Sequence, residues 1–481
     1  MIALTAAEVA AATGGVLSGV HPGTVVSGPV VSDSREVLPG ALFVALPGEH
    51  VDGHTFAARA VEAGAVLVLA AHDVPHPAGG TLPAVLVDDV TAALGALARE
   101  VLARLREAAA EPGGAALQVV AVTGSVGKTT TKDLLAQLFA ADGPTVAPVR
   151  SFNNEIGLPL TVLRADESTT HLVLEMGASG IGHIEYLTQI APPDVSVVLV
   201  VGAAHLGEFG GVEATARAKS ELVRGLRSDG VAVLNADDHR VMAMAELAPG
   251  PVVTFGTSPA AQVRATEVTL DRRGRAAFTL VDARTARAPR SASVRLRLVG
   301  EHHVHNALAA AATGLVGGLE LADVAAGLSS ADALSPHRMH VVDRPDGVTV
   351  VDDSYNANPD SMRAALKALA QLAGRDRRSV AVLGEMLELG AEARQAHDAI
   401  GRLVVRLNIG LTVVVGDGAR AIRDGANHEG SWGDEVVLAD DVDAAEQFLA
   451  QELRAGDVVL VKSSYGSGLW QLGGRLVGAG E

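Results

Sequence analysis

The stretch AVTGSVGKTTTK, Ala121 to Lys132, has the composition of a phosphate cradle. It follows an apolar run, Leu117–Thr123, and opens an amphipathic one, Thr129–Ala140, so it reads as the turn between a strand and a helix. Gly124 and Gly127, with Ser125 between them, allow a tight loop whose amides face phosphate oxygens. The helix N-terminus adds a favourable field. In that arrangement Lys128 reaches a transferred phosphoryl group and the Thr129 hydroxyl holds Mg²⁺. Thr130 follows on the first helical turn. Position 122 is Val, so strict GxxxxGK spacing is not met, and an ordinary Gly-Lys turn is the alternative.

The chain has 33 Arg but only five Lys: Lys128, Lys132, Lys219, Lys367 and Lys462. Where Arg serves for general charge, a Lys is kept for its compact ammonium or nucleophilic amine, unless the bias is a compositional accident. Glu175 ends the apolar run HLVLE, which places an acid at the carboxyl edge of a sheet, where open α/β folds bind ligands. It suits a metal ligand or a turn acid. His205 follows the Val195–Val201 region, and Lys219 lies in AKSEL on an expected helix.

These groups need a scaffold, and 481 residues with 48% apolar side chains suggest three domains. The expected division is 1–112, 113–335 and 336–481. Thr5–Thr13 reads as a helix with a Thr5/Glu8 capping box. Thr91–Arg106 is a second, with Thr91 as its cap, and EPGG at Glu111–Gly114 is a hinge. Strands at Thr170–Met176, Val195–Val200, Val231–Asn235 and Val252–Phe255 alternate with helices, which implies a parallel sheet. Polar and apolar alternation from Val263 to Val299 reads as a small antiparallel insertion. A second strand-helix series runs from Thr349 to Lys462. Its first turn lacks a GxGxxG fingerprint, so it gives no support for a dinucleotide. The fold class is α/β throughout, in three domains: a small N-terminal α/β domain, a central parallel-sheet domain carrying the P-loop and a C-terminal Rossmann-like domain.

Composition narrows the partners. Net charge is -18 and aromatics make up 3%, which argues against a nucleic-acid surface. There is no Cys, so thiolate catalysis and Cys-ligated zinc are excluded. The N-terminus lacks a basic region followed by an apolar run, and the most apolar stretch is too short to span a bilayer. A cytoplasmic, non-membrane protein is expected, and a monomer.

Beyond the loop, a series of segments occurs in order: SFNNEIGLP from Ser151, LEMGA from Leu174, AAHLGEFG from Ala203, AKSEL from Ala218, NADD from Asn235, GEHHVHNALAAA from Gly300, PHRM from Pro336, DDSYNANPDSM from Asp352, GEMLELG from Gly384 and VKSSYGS from Val461. This series resembles the Mur ligase family over essentially the whole chain. The resemblance implies ATP-dependent amide formation in peptidoglycan precursor synthesis, with substrate bound by the N-terminal domain and ATP by the central P-loop domain. ATP turns a carboxylate into an acyl phosphate that an amine then attacks. It implies Lys128, Glu175, His205, Lys219 and Asp353 as catalytic residues. Thr129, Glu175, His205 and Lys219 would hold Mg²⁺, with Lys219 carbamylated to N6-carboxylysine. Asn306 and Arg338 would contact adenine and phosphate. Ser34 and Arg35 would meet the UDP end, and Asn153, Asn154 and Glu155 the peptide carboxylate. Asn356 and Asn358, in SYNANP, resemble the dipeptide-adding branch, with Lys462 near the nucleotide or the incoming carboxylate. The implied substrates are a UDP-N-acetylmuramoyl-tripeptide and D-alanyl-D-alanine. No DNPR segment occurs, which separates the chain from the diamino-acid-adding branch. Ser463 and Tyr465 stand where the family's usual KGSR-like segment has Gly and Arg. Tyr355 stands where some sister ligases have Lys, and no phosphate role is assigned to it.

Overall fold

A computed structural model describes residues 1–48, 51–114, 116–149, 151–202, 211–285, 288–431 and 434–478. His205 lies outside the described residues. The N-terminal part builds a five-stranded sheet in the order Val16–Ser18, Ala84–Leu86, Leu67–Ala70, Leu42–Val44, Val30–Val31. The Thr5/Glu8 capping box forms as expected: the Thr5 hydroxyl accepts the Glu8 N–H and the Glu8 carboxylate accepts the Thr5 N–H. The following long helix, Val90–Ala110, is capped by Asp89, not by Thr91. The Asp89 carboxylate accepts the N–H groups of Thr91 and Ala92, so the acid two residues before Thr91 takes over the capping role.

The central sheet has nine strands. Gln118–Thr123 lies between His171–Glu175 and Val195–Val198, both parallel to it. That register sets Glu175 opposite Val122 and Val198 opposite Thr123, so three strand ends share one edge. The segment read as an insertion is instead continuous with this sheet. Val263–Leu270 pairs in parallel with Val252–Gly256, and Arg275–Asp282 and Arg290–Val299 extend it antiparallel. The alternation reported one wet face but could not reveal the edge pairing.

The C-terminal sheet has six strands, with Val458–Lys462 between Thr349–Asp352 and Ser379–Leu383. One apolar core runs from the N-terminal helix through Val90–Ala110 into the central sheet, so the turn at Glu111–Gly114 joins two packed bodies and is no free hinge. The C-terminal cores are separate, and among the described residues Val299 is the buried apolar side chain of the central sheet that packs into them. Relative motion is therefore favoured at the second junction. Among the described residues, no helix is long and apolar enough to cross a membrane.

Candidate active site

The loop Gly124–Gly127 passes from the end of Gln118–Thr123 into the helix Lys128–Ala140. Gly127 has φ +86°, and a Cβ there would meet the Asn306 side chain at 2.4 Å. Both conformation and space thus require glycine. The Lys128 ammonium donates to the Gly124 carbonyl at 2.8 Å. Desolvation pushes it below the ordinary lysine range, against the pull of Glu175; Arg338 adds to the depression and Glu388 opposes it.

Glu175 is buried at the neighbouring strand end. Its oxygens accept from the Thr129 hydroxyl at 3.0 Å and the Asn153 amide at 2.7 Å. Both donors are neutral, and among the described residues no cation is ion-paired to this carboxylate. A buried carboxylate left in that state fits a site that receives positive charge.

Lys219 sits in the helix Val212–Arg224 and is buried. Burial pushes its amine down to about 7, and repulsion from Lys128 adds to the effect. It forms no hydrogen bond or ion pair among the described residues. His302 is pushed down to about 4 by burial, and His303 falls well below the ordinary histidine range for the same reason. Both are neutral imidazoles around pH 7. The Asn306 amide lies 3.2 Å from His303 Nδ1.

The C-terminal domain closes the site from the other side. The Lys462 ammonium donates to Asp353 Oδ2 at 2.6 Å and to the Asn356 carbonyl at 2.9 Å. Asp353 also accepts the Met339 N–H at 3.1 Å. Burial lowers the Lys462 amine from its ordinary value, and Asp353 opposes that shift. The side chains are 1% and 13% exposed, so removing one partner strands the other in a dry place. Replacing Lys462 with Met is expected to destabilise the C-terminal domain by about 3–5 kcal/mol. Chemical denaturation would measure it, and an unchanged midpoint would contradict this account of the pair.

These parts border one cleft of about 710 Å³. It gathers Ser125, Gly127, Lys128, Thr129, Thr130, Asn153, Asn154, Glu155, Glu175, Lys219, Asn306, Arg338, Asp353, Asn356, Asn358 and Lys462, all of them singled out from sequence. Gly124 does not line the cleft, but its carbonyl accepts the Lys128 bond. Ser34 and Arg35 are not in the cleft: Ser34 is buried in the N-terminal domain, and Arg35 is exposed and paired with Asp33 at 2.6 Å. Asn358 has a second task, since its side chain caps the helix Pro359–Ala373. The sequence reading missed Ser151, His183, His302, His303, Tyr355 and Glu388 as cleft residues. Ser151 Oγ bridges Thr129 Oγ1 at 2.9 Å and Arg338 at 3.1 Å. The triple His in GEHHVHN and the Ser opening SFNNE were visible signals for three of these residues.

Family models for the Mur ligase family catalytic domain, the Mur ligase middle domain and the Mur ligase glutamate ligase domain match residues 30–101, 122–314 and 337–465. A UDP-N-acetylmuramoyl-tripeptide--D-alanyl-D-alanine ligase of Mycobacterium tuberculosis is 47% identical over 99% of this chain and 98% of its own length. The Escherichia coli protein of that name is 33% identical over 91% of each. Among solved structures, MurF from Acinetobacter baumannii superposes with a TM-score of 0.84 at 32% identity, covering 99% of both chains. MurF ligase from Thermotoga maritima in complex with ADP gives a TM-score of 0.75 at 28% identity, over 94% of this chain and 97% of that one. Three models matched in order, on a fold and a cleft of this construction, show that the chain belongs to the Mur ligase family.

Proposed function

We propose that this protein is an ATP-dependent ligase that joins D-alanyl-D-alanine to UDP-N-acetylmuramoyl-tripeptide, giving the UDP-pentapeptide, ADP and phosphate. The observation that carries the reading is the convergence of Lys128, Glu175, Lys219, Arg338 and Lys462 on one cleft.

The residues divide the work as follows. The amides of Ser125 to Lys128 and the Lys128 ammonium hold the nucleotide phosphates. Asn306, beside the loop at Gly127, faces the adenine. Arg338 grips phosphate oxygens from the domain junction. Asn153, Asn154 and Glu155 orient the end of the peptide, and the 1–112 domain holds the UDP end through Ser34 and Arg35. Thr129, Glu175, Lys219 and, outside the described residues, His205 would hold Mg²⁺. The neutral-bonded Glu175 carboxylate fits that assignment. An ion held by these residues would supply charge that screens the peptide carboxylate from the phosphates. Lys219, with its amine near 7, has a large neutral fraction at physiological pH and so suits reaction with CO₂ to a carbamate.

The peptide carboxylate oxygen attacks the γ-phosphorus and ADP leaves. The dipeptide amine, once deprotonated, then attacks the acyl carbon and phosphate leaves. Asn356, Asn358 and Lys462 line the side from which the dipeptide enters. Closure of the 336–481 domain over the 113–335 domain keeps water from the acyl phosphate. The separate C-terminal cores support such a movement. The protein works as a cytoplasmic monomer.

Incubation with ATP, the UDP-tripeptide in its diaminopimelate and lysine forms, and a panel of amines, followed by mass analysis, tests the reading. The expected result is product only with D-alanyl-D-alanine, with one ADP released per product. Phosphate release indifferent to the dipeptide would overturn it.

A further inference from the structure

Arg338 is held in an unusual way. Its Nη2 donates to Ser151 Oγ at 3.1 Å, its Nε is buried without a partner, and among the described residues no carboxylate pairs with it. Its guanidinium carbon lies 4.3 Å from the centre of the Tyr355 ring. That ring is backed by Tyr465 at 5.4 Å, and Tyr465 stacks on Trp470 at 5.3 Å with planes 3° apart. The whole chain has three Tyr and two Trp, so most of its large polar aromatics are spent here. Core packing does not explain the expense, because Tyr465 is 50% exposed. The Tyr355 hydroxyl forms no hydrogen bond among the described residues, which leaves the ring face as its contribution.

The backbone is built to hold this contact. His337 and Met339, on either side of Arg338, have φ of 58° and 51°, in the left-handed region that non-glycine residues seldom occupy. The His337 carbonyl accepts the Tyr355 N–H at 3.2 Å, and the Met339 N–H donates to Asp353 at 3.1 Å. Both flanks of Arg338 are thus stapled to the segment that carries Tyr355.

An acid would hold a guanidinium just as firmly but would neutralise it. An aromatic face holds the cation and leaves its charge and N–H groups for an anion. We propose that Tyr355, backed by Tyr465 and Trp470, is a positioning residue that aims Arg338 at the ATP phosphates. The inference rests on the proposed ATP-dependent reaction and adds to it a residue that sequence comparison left without a role.

The test is a double-mutant cycle on ligation by the full chain. Tyr355→Leu is expected to raise the KM for ATP about fivefold to thirtyfold, the range a desolvated cation–π contact supports, with a smaller effect on the KM for the dipeptide. Tyr355→Phe keeps the ring and is expected to restore the ATP KM to within about twofold of wild type. In an Arg338→Gln background, Tyr355→Leu is expected to add nothing. Fully additive losses, or a Phe variant as impaired as the Leu variant, would overturn the inference. Wild-type ligation in the same assay keeps this outcome distinct from failure of the reaction itself.

Discussion

Replacing Lys128 with Met is expected to lower kcat about a thousandfold while the fold stays intact. Met keeps most of the stem and its volume, so packing in the loop changes little. What is lost is a cation held against the phosphates, at the point where negative charge shifts during transfer. Its hydrogen bond to the Gly124 carbonyl ties the ammonium to the loop before substrate arrives. The side chain therefore needs little reorganisation at the moment of reaction. Arg is not an adequate substitute, because its planar fork cannot occupy a site shaped for a compact ammonium. Steady-state kinetics with circular dichroism as a fold control would check this. A variant within tenfold of wild type would show that the loop amides alone carry the phosphoryl group.

The second large effect is expected at Lys219. Lys219→Ala should lower kcat about a hundredfold to a thousandfold, with partial rescue by a small carboxylate such as acetate. The reason is the absence of any partner for this buried amine among the described residues. A charged ammonium there would face Lys128 in a dry setting, and the amine is accordingly pushed down to about 7. The neutral form dominates above that pH and is the form that captures CO₂. Enzyme stripped of CO₂ should thus regain activity on bicarbonate addition faster at pH 8 than at pH 6. The sign for stability agrees. The unmodified folded chain binds fewer protons here than the unfolded chain between about 7 and 10.5, so the group's contribution to stability rises with pH across that window. Activity indifferent to CO₂, with an Ala variant that acetate leaves unrescued, would remove the carbamate from the account.

The chemistry was more legible in the sequence than the packing was. Lys128, Glu175 and Lys219 sit at strand ends or on the helices after them, and strand-helix alternation with rare Lys residues reports such positions directly. Lys132 shows the limit. It looked like one more Lys of the loop but is buried, donating to the Pro148 carbonyl at 2.8 Å and ion-paired with Asp133, whose carboxylate also takes the Ser335 N–H. That role depends on a partner two hundred residues away, which no local pattern encodes. Tyr355 was hidden for the same reason: its significance lies in the face it offers to Arg338, not in its neighbours along the chain. The cap of Val90–Ala110 was misplaced by two residues because Asp89 and Thr91 are both good caps, and only the turn geometry decides between them. The shared core of the first two sheets was likewise invisible, since apolar periodicity says which face is buried but not against what.

Transfer of oxygen tests the central claim most directly. The UDP-tripeptide labelled with ¹⁸O in its terminal carboxylate would be ligated to the dipeptide, and the released phosphate analysed by mass. If the cleft activates the carboxylate by phosphoryl transfer, one labelled oxygen passes to phosphate for each amide bond formed. Phosphate free of label, alongside normal ligation, would show that the bond forms without an acyl phosphate.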